Sequence, residues 1–226
     1  MKKTIAYVDG FNLYYGIIDK RNPMPSGTLP FTEEKPWGNL LWCNLDTLIR
    51  SFHFPNTNLQ RIKFFEAPSY KPESLPRQQA YINALMSLPT MTNDSFFGGD
   101  YKKRVAYCEH CRGTNSYFTE KGTDVQIAVE LISDVLLEHC DSAIVISGDN
   151  DLLPVYRKIK AFKPDLPLYL VFPPNRKSSE ARQIVGQAFT RQLKYERLLG
   201  NQFPDEVVNG EFVIRKPNEY LQTKKV

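Results

Sequence analysis

With 226 residues, 42% of them apolar, the chain can bury one full core, which leaves little room for a second complete domain. Its net charge of +4 permits contact with nucleic acid but is too small to argue for it, so the placement of charge must carry that case. No apolar run approaches the roughly 20 residues that cross a bilayer, and Asp9 and Asn12 interrupt the stretch after Lys2 and Lys3 before a secretory core can form; a cytoplasmic protein without a membrane partner is expected.

In chain order, Thr4-Ile5-Ala6-Tyr7-Val8 runs into Asp9-Gly10-Phe11-Asn12, a buried strand ended by turn residues. Asn12 to Ile18 follows as a short helix capped by Asn12 or Asp9. Residues 20–43 hold Pro23, Pro25, Pro30 and Pro36 with Gly27 and Gly38, and read as an irregular insertion, a flap at a cleft edge. Asn44 to Phe52 has helical spacing, with Asn44 as the cap, and Arg61 to Glu66 reads as a strand. A helix opens at Pro76 and Arg77 and stops at Pro89. Ser95 to Gly98 and Arg104 to Tyr107 look like two extended pieces around a Gly-Gly-Asp turn, and a Cys-x-x-Cys loop covers about 108–115.

From Thr123 to about His139, Ile127, Ala128, Leu131 and Val135 recur at 3.6-residue spacing with Val125, Val129, Ile132 and Leu136 alongside, which predicts a well-buried helix. The run Ile144-Val145-Ile146 breaks into Ser147-Gly148-Asp149-Asn150-Asp151, a second buried strand that ends in carboxylates. A helix from Leu152 to about Ala161, a strand from Leu168 to Phe172, a helix from about Ser179 to Val185 and a charged segment from Arg191 to Leu199 complete the pattern. A tail containing Phe212 to Arg215 follows. Strands alternating with helices predict an α/β, Rossmann-like, mainly parallel sheet with helices on both faces, a single domain with loop insertions.

Asp9, Asp149 and Asp151 fall at carboxyl ends of strands, the edge where open α/β sheets bind ligands, and Asp124 falls at a helix start. If these four share one crevice, their repulsion calls for a cation, and oxygen ligands without a histidine set favour Mg²⁺ or Mn²⁺, as one ion or a pair, over zinc. Such a site suits phosphodiester cleavage. Asp9 and Asp149 lead as direct ligands. Asp124 and Asp151 then bind the metal directly, through water, or orient the nucleophile; Asn12 holds a water or a phosphate oxygen, and Ser147 fixes a neighbouring carboxylate. Taken singly, each acid has a plainer reading as a turn or capping residue. No phosphate-binding Gly-x-x-x-x-Gly-Lys loop and no Gly-x-Ser-x-Gly elbow is present.

Tyr7-Val8-Asp9-Gly10-Phe11-Asn12, Glu120-Lys121-Gly122-Thr123-Asp124-Val125 and Ser147-Gly148-Asp149-Asn150-Asp151-Leu152 resemble the three signature segments of LabA-like NYN domains in the PIN-like nuclease superfamily. Order and spacing match over roughly residues 4–190, with Leu152 where the family often has an aromatic residue. The resemblance implies a PIN-like fold over residues 1–200, with 201–226 as a C-terminal extension. It also implies a metal-dependent ribonuclease site at Asp9, Asn12, Asp124, Asp149 and Asp151, supported by Ser147, with RNA as the partner. An RNA- or protein-binding regulatory module that keeps the fold without turnover is the alternative, and a homo-oligomer or protein partner stays open.

Lys102, Lys103, Arg104, Arg112 and Lys121 precede the Asp124 helix, and Arg176, Lys177 and Arg182 follow the last strong strand. Loop cations beside an acidic pocket suit a polyanion, and Tyr14, Tyr15, Tyr101 and Tyr117 could stack on unpaired bases, so a single strand is expected; that it is RNA and not DNA is what the resemblance implies. Solvated surface is the plainer reading of any one of these cations, and core packing weighs equally for each tyrosine. Cys108 and Cys111 offer half of a structural zinc site, which needs four ligands. His110, His139, Cys140, Cys43 or a partner chain would have to supply the rest, so a pair of reduced thiols is the plainer reading.

Overall fold

The computed structural model describes residues 1–19 and 38–220. Residues 20–37 of the proline-rich flap expected over 20–43, and the last six residues of the tail, 221–226, lie outside them. The elements in order are β1 (Lys2–Asp9), α1 (Gly10–Ile18), α2 (Leu45–Arg50), β2 (Thr57–Phe65), α3 (Leu75–Met86), β3 (Phe96–Phe97), β4 (Asp100–Tyr107), β5 (Thr114–Lys121) and α4 (Thr123–Leu136). The second half adds β6 (Ser142–Ile146), α5 (Leu153–Phe162), β7 (Leu168–Phe172), α6 (Ser179–Val185), β8 (Thr190–Gln192), α7 (Tyr195–Leu199), β9 (Glu206–Asn209) and β10 (Phe212–Arg215).

The central sheet has six strands in the order β3-β2-β1-β6-β7-β8, and every pairing in it is parallel. A parallel strand covered on both faces reads as an unbroken apolar run, and β1 and β6 do. Alternation along β1 separates two cores. Ala6 and Val8 pack with Leu13, Ile17, Leu48, Leu85 and Leu198 of α1, α2, α3 and α7, whereas Ile5 and Tyr7 pack with Ile127, Leu131, Tyr156, Ile159 and Val185 of α4, α5 and α6. The chain builds from β1 outward to β3, then returns to place β6 on the other side of β1. The strand order therefore reverses between β1 and β6, where the loops diverge and leave a crevice.

Several expectations change. Ser95 to Gly98 and Arg104 to Tyr107 do not pair with each other: β3 is the edge of the main sheet beside β2, and β4 forms a separate antiparallel hairpin with β5. The sequence β5 carries, Thr114 to Lys121, has no apolar run to announce it, because almost all of the hairpin faces solvent. The Arg191 to Leu199 segment holds the short strand β8 and helix α7. Residues 38–43, read as part of the insertion, supply fully buried Leu40 and Trp42 and buried Cys43. Phe203, Val207 and Tyr220 join the same core. Finally, α4 is not buried all round. Val125, Val129 and Leu136 are 66%, 55% and 49% exposed, because the sheet covers one stripe of a helix whose apolar residues run wider than that stripe.

Lys63 of β2 points to the α4 side and is buried, its Nζ 2.6 Å from Glu130 and 2.5 Å from Asp134. The Tyr7 hydroxyl donates to Asp134 at 2.6 Å. Removing one member of a buried ion pair leaves an uncompensated charge. Asp134→Ala is therefore expected to lower the unfolding free energy by about 3 kcal/mol, measured by urea denaturation. A loss under about 1 kcal/mol would mean that Glu130 and entering water satisfy Lys63 unaided.

Candidate active site

β1 delivers Asp9 to the reversal point and leaves it 4% exposed. Its Oδ1 accepts from the Asn12 N–H at 2.9 Å, which caps α1, and its Oδ2 accepts from the Ser147 hydroxyl at 2.9 Å. Ser147 Oγ in turn accepts from the Asp149 N–H at 3.1 Å, and Asn12 Oδ1 accepts from the Gly148 N–H at 2.8 Å. Asp149 Oδ1 closes the following turn by accepting from the Asp151 N–H at 2.9 Å. The ends of β1 and β6 are thus cross-linked by one bond between side chains and one between a side chain and the backbone. Gly148 belongs to this close fit, since a Cβ there would lie 2.8 Å from the Cβ of Arg176.

Asp124 arrives from a third direction. Gly122, at φ +100°, turns the chain from β5 into α4, a conformation that suits glycine. Glu120 reaches back to accept from the Thr123 N–H and hydroxyl. Asp124 then occupies the first turn of the helix, where the dipole favours a carboxylate. Asp9, Asp124 and Asp149 bring one oxygen each to within 4.8 Å of one another. Asp151 is exposed on the turn beyond and stands outside this trio, although its charge reaches Asp124.

Burial, with smaller contributions from Asp124 and Asp149, pushes the Asp9 carboxyl up to about 7 against the two hydrogen bonds that hold it down. Partial burial and the charges of Asp149, Glu120 and Asp151 push Asp124 up to about 6. A close carboxylate set with raised pKa values is what a divalent cation relieves, and three oxygen donors without nitrogen or sulfur suit a hard ion. Among the described residues it is the one group of three or more acids, cysteines or histidines close enough to share an ion. Cys108 and Cys111 are exposed on the turn between β4 and β5, whereas Cys43 and Cys140 are buried in the two opposite cores, so neither joins them.

The trio lines one side of a cleft of about 410 Å³ whose other walls include Tyr15, Tyr70, Tyr101, Phe118 and Arg176. Arg176 Nε is buried and has no hydrogen-bond partner among the described residues. The hairpin sorts its cations by strand alternation. Lys103 lies opposite Phe118, on the face that carries Tyr101 and Glu120 towards the cleft, while Lys102, Arg104 and Lys121 share the other face with Tyr117. Arg112 sits at the hairpin tip with φ +51°, Lys177 is exposed beside Arg176, and Arg182 lies over the Phe172 ring. Tyr14 packs edge-on against Tyr15. Glu66, Tyr70 and Phe118 were not singled out from the sequence. For Glu66 a signal existed, since it follows β2 at the same sheet edge as Asp9; it is buried, and burial, offset by Gln78, pushes it up to about 7.

An all-parallel sheet with carboxylates gathered at its reversal point defines an α/β domain of the PIN-like class. The chain belongs to the NYN domain family, which matches residues 53–190 and lies within the PIN-like nuclease superfamily. That match includes Asp124 and Asp149 and begins after β1. Among solved structures, the protein of unknown function VPA0982 from Vibrio parahaemolyticus is similar in fold, with a TM-score of 0.52 at 15% identity over 86% of this chain and 94% of that one. The 6-hydroxy-3-succinoylpyridine 3-monooxygenase HspA of Pseudomonas putida is 24% identical over 174 residues, 70% of this chain. The chain spans 56% of that relative's length.

An acid whose pKa is raised by folding holds a proton that the unfolded chain has released, so its contribution favours the native state at low pH and is lost as pH rises through the folded value. In EDTA, the stability of wild type relative to Asp9→Asn is expected to fall between pH 3.8 and about 7 and to level off above that. Paired thermal melts across this window measure it. A flat difference would show that Asp9 ionises like an exposed carboxylate.

Proposed function

We propose that the cleft hydrolyses phosphodiester bonds in single-stranded RNA, with Mg²⁺ or Mn²⁺ held by Asp9, Asp124 and Asp149. The observation that carries this reading is the convergence of three carboxylates, two of them with raised pKa values, without a neutralising side chain in the trio. An ion bound there supplies Lewis-acid stabilisation of the charge that builds on the phosphoryl oxygens and acidifies water. The chain's own residues do the positioning. Asn12 and Ser147 fix the Asp9 carboxylate, so its oxygens need no reorganisation during reaction. Arg176, which lines the cleft, offers its guanidinium group to a phosphate oxygen. Tyr15, Tyr70, Tyr101 and Phe118 give unpaired bases flat surfaces on which to stack, and Lys103 reaches the backbone from the hairpin. In the reaction a water oxygen bonds to phosphorus as an acid takes up one of the water's protons, the bond to the leaving ribose oxygen breaks, and that oxygen leaves as the alcohol by taking a proton from the acid or from solvent. Asp151, which stands outside the trio but whose charge reaches Asp124, helps orient that water.

The monooxygenase relative supports a second reading, in which a small heteroaromatic ring enters the cleft; the aromatic wall favours it. Incubation of purified protein with labelled single-stranded RNA and calorimetric titration with 6-hydroxy-3-succinoylpyridine separate the two: tight binding of the pyridine without RNA cleavage supports the second. RNA cleavage in Mn²⁺ or Mg²⁺ that stops in EDTA and in Asp149→Asn supports the nuclease. An inert protein that still binds RNA points to a regulatory module.

Two further variants refine the nuclease reading. Ser147→Ala is expected to reduce activity by about 10–100-fold, the usual cost of losing a hydrogen bond that orients a metal ligand. Arg176→Ala is expected to weaken RNA binding and lower the salt dependence of that binding, measured by titration at several ionic strengths. A salt slope equal to that of wild type would remove Arg176 from the phosphate contact.

A further inference from the structure

A second cavity of about 170 Å³ lies behind the cleft, between α1 and α3, and shares with it a wall made of Phe11, Tyr15, Tyr70 and Tyr101. The cavity is lined by further rings, Tyr14, Phe64 and Tyr81, and by one buried carboxylate, Glu66. The Tyr81 hydroxyl is spent on the Cys43 carbonyl at 2.9 Å, which leaves its ring as a flat surface. Gln78 is committed to the backbone, donating to the Ala67 carbonyl at 3.0 Å and accepting from the Ser69 N–H at 2.7 Å, and its side chain also hydrogen-bonds Glu66. No cation pairs with Glu66 among the described residues, although Lys71 and Arg77 line the cavity. A carboxylate has room for more donors than Gln78 supplies, and in a buried aromatic chamber a ligand can bring them.

From this geometry we infer that the cavity is a base-binding subsite that selects guanine, with Glu66 as the specificity-determining residue. The inference rests on the nuclease reading for its link to RNA. Ionised Glu66 is acceptor-only. Guanine is the RNA base whose Watson–Crick edge presents two adjacent donors, N1–H and the N2 amino group, and a carboxylate can accept from both. Adenine and cytosine place a ring acceptor beside their amino group, which a carboxylate repels, and uracil sets its single N–H between two carbonyl oxygens. The rings of Tyr14, Phe64 and Tyr81 supply stacking that any base would gain, so Glu66 provides the discrimination. The wall of Phe11, Tyr15, Tyr70 and Tyr101 is common to both cavities, so the subsite adjoins the cleft in which a phosphate would meet the acid trio.

The test begins with binding of GMP, AMP, CMP and UMP to the full chain in EDTA, by isothermal titration calorimetry, where no catalysis intervenes. GMP is expected to bind at least about tenfold more tightly than the others, and Glu66→Gln to remove that preference while leaving AMP, CMP and UMP unchanged. Equal binding of the four nucleotides by wild type overturns the inference, and that comparison needs no variant. So does a guanine preference that survives in a Glu66→Gln protein with a native circular dichroism spectrum. Cleavage mapping on a mixed-sequence RNA in Mn²⁺ separates this inference from the reading beneath it. Guanine-selective binding without any cleavage means the subsite stands and the nuclease reading fails. Cleavage without base preference, together with equal nucleotide binding, means the nuclease stands and the subsite fails.

Discussion

The hydrogen bond from Ser147 to Asp9 joins the ends of β1 and β6 at the one place where the sheet changes direction. Asp9 is nearly inaccessible to water, and a buried carboxylate without donors would protonate or pull the surrounding chain open. The Asn12 amide and the Ser147 hydroxyl supply those donors, and Ser147 also receives the Asp149 amide, so a single hydroxyl sets the spacing of two of the three acids. The remaining acid, Asp124, depends on a different device, the left-handed Gly122 and the Glu120 cap that start α4 beside the crevice. The trio is therefore assembled from segments far apart in sequence, each fixed by local chemistry.

Topology explains why the segments meet. Parallel strands put all their carboxyl ends on one edge, and the reversal between β1 and β6 opens that edge into a cleft. β2 contributes to the same edge, which is why Glu66 stands next to the site. The two cavities at this edge share an aromatic wall, with the acid trio on one side of it and a single buried carboxylate on the other.

Much of this was legible in the sequence because β1 and β6 are covered on both faces. An unbroken apolar run that stops at Asp-Gly or Ser-Gly-Asp states both the strand and the position of its carboxylate. Helix caps were equally plain: Asn44 accepts from the Thr47 amide and starts α2 as read. What escaped has a common cause. The β4–β5 hairpin takes no part in the core, so its strands lack the period that burial writes into a sequence, and Thr114 to Lys121 was not read as a strand. Leu40 and Trp42 were hidden by the prolines and glycines around them. Glu66 was within reach of the rule that found Asp9, but it was read as the end of a strand and no more. Asp151 was grouped with the other acids because it follows the same strand end; its backbone amide serves Asp149 and its side chain is exposed.

The hairpin divides the cleft between two cooperative units. Its middle and tip, from Lys102 to Phe118, are exposed, and a two-stranded ribbon holds little free energy of its own. It is tethered to the body through Tyr70, whose ring stacks on Phe118 at 4.5 Å and meets Tyr101 at 4.9 Å. Asp9 and Asp149, in contrast, stand on the sheet, which opens only with the whole domain. Local unfolding of the ribbon, at a fraction of the global free energy, would thus strip the cleft of one aromatic wall while two of its acids keep their places. Ligand affinity and global stability are then separate quantities in this chain: changes at Tyr70, Tyr101 or Phe118 can alter the first while leaving the melting of the sheet where it was.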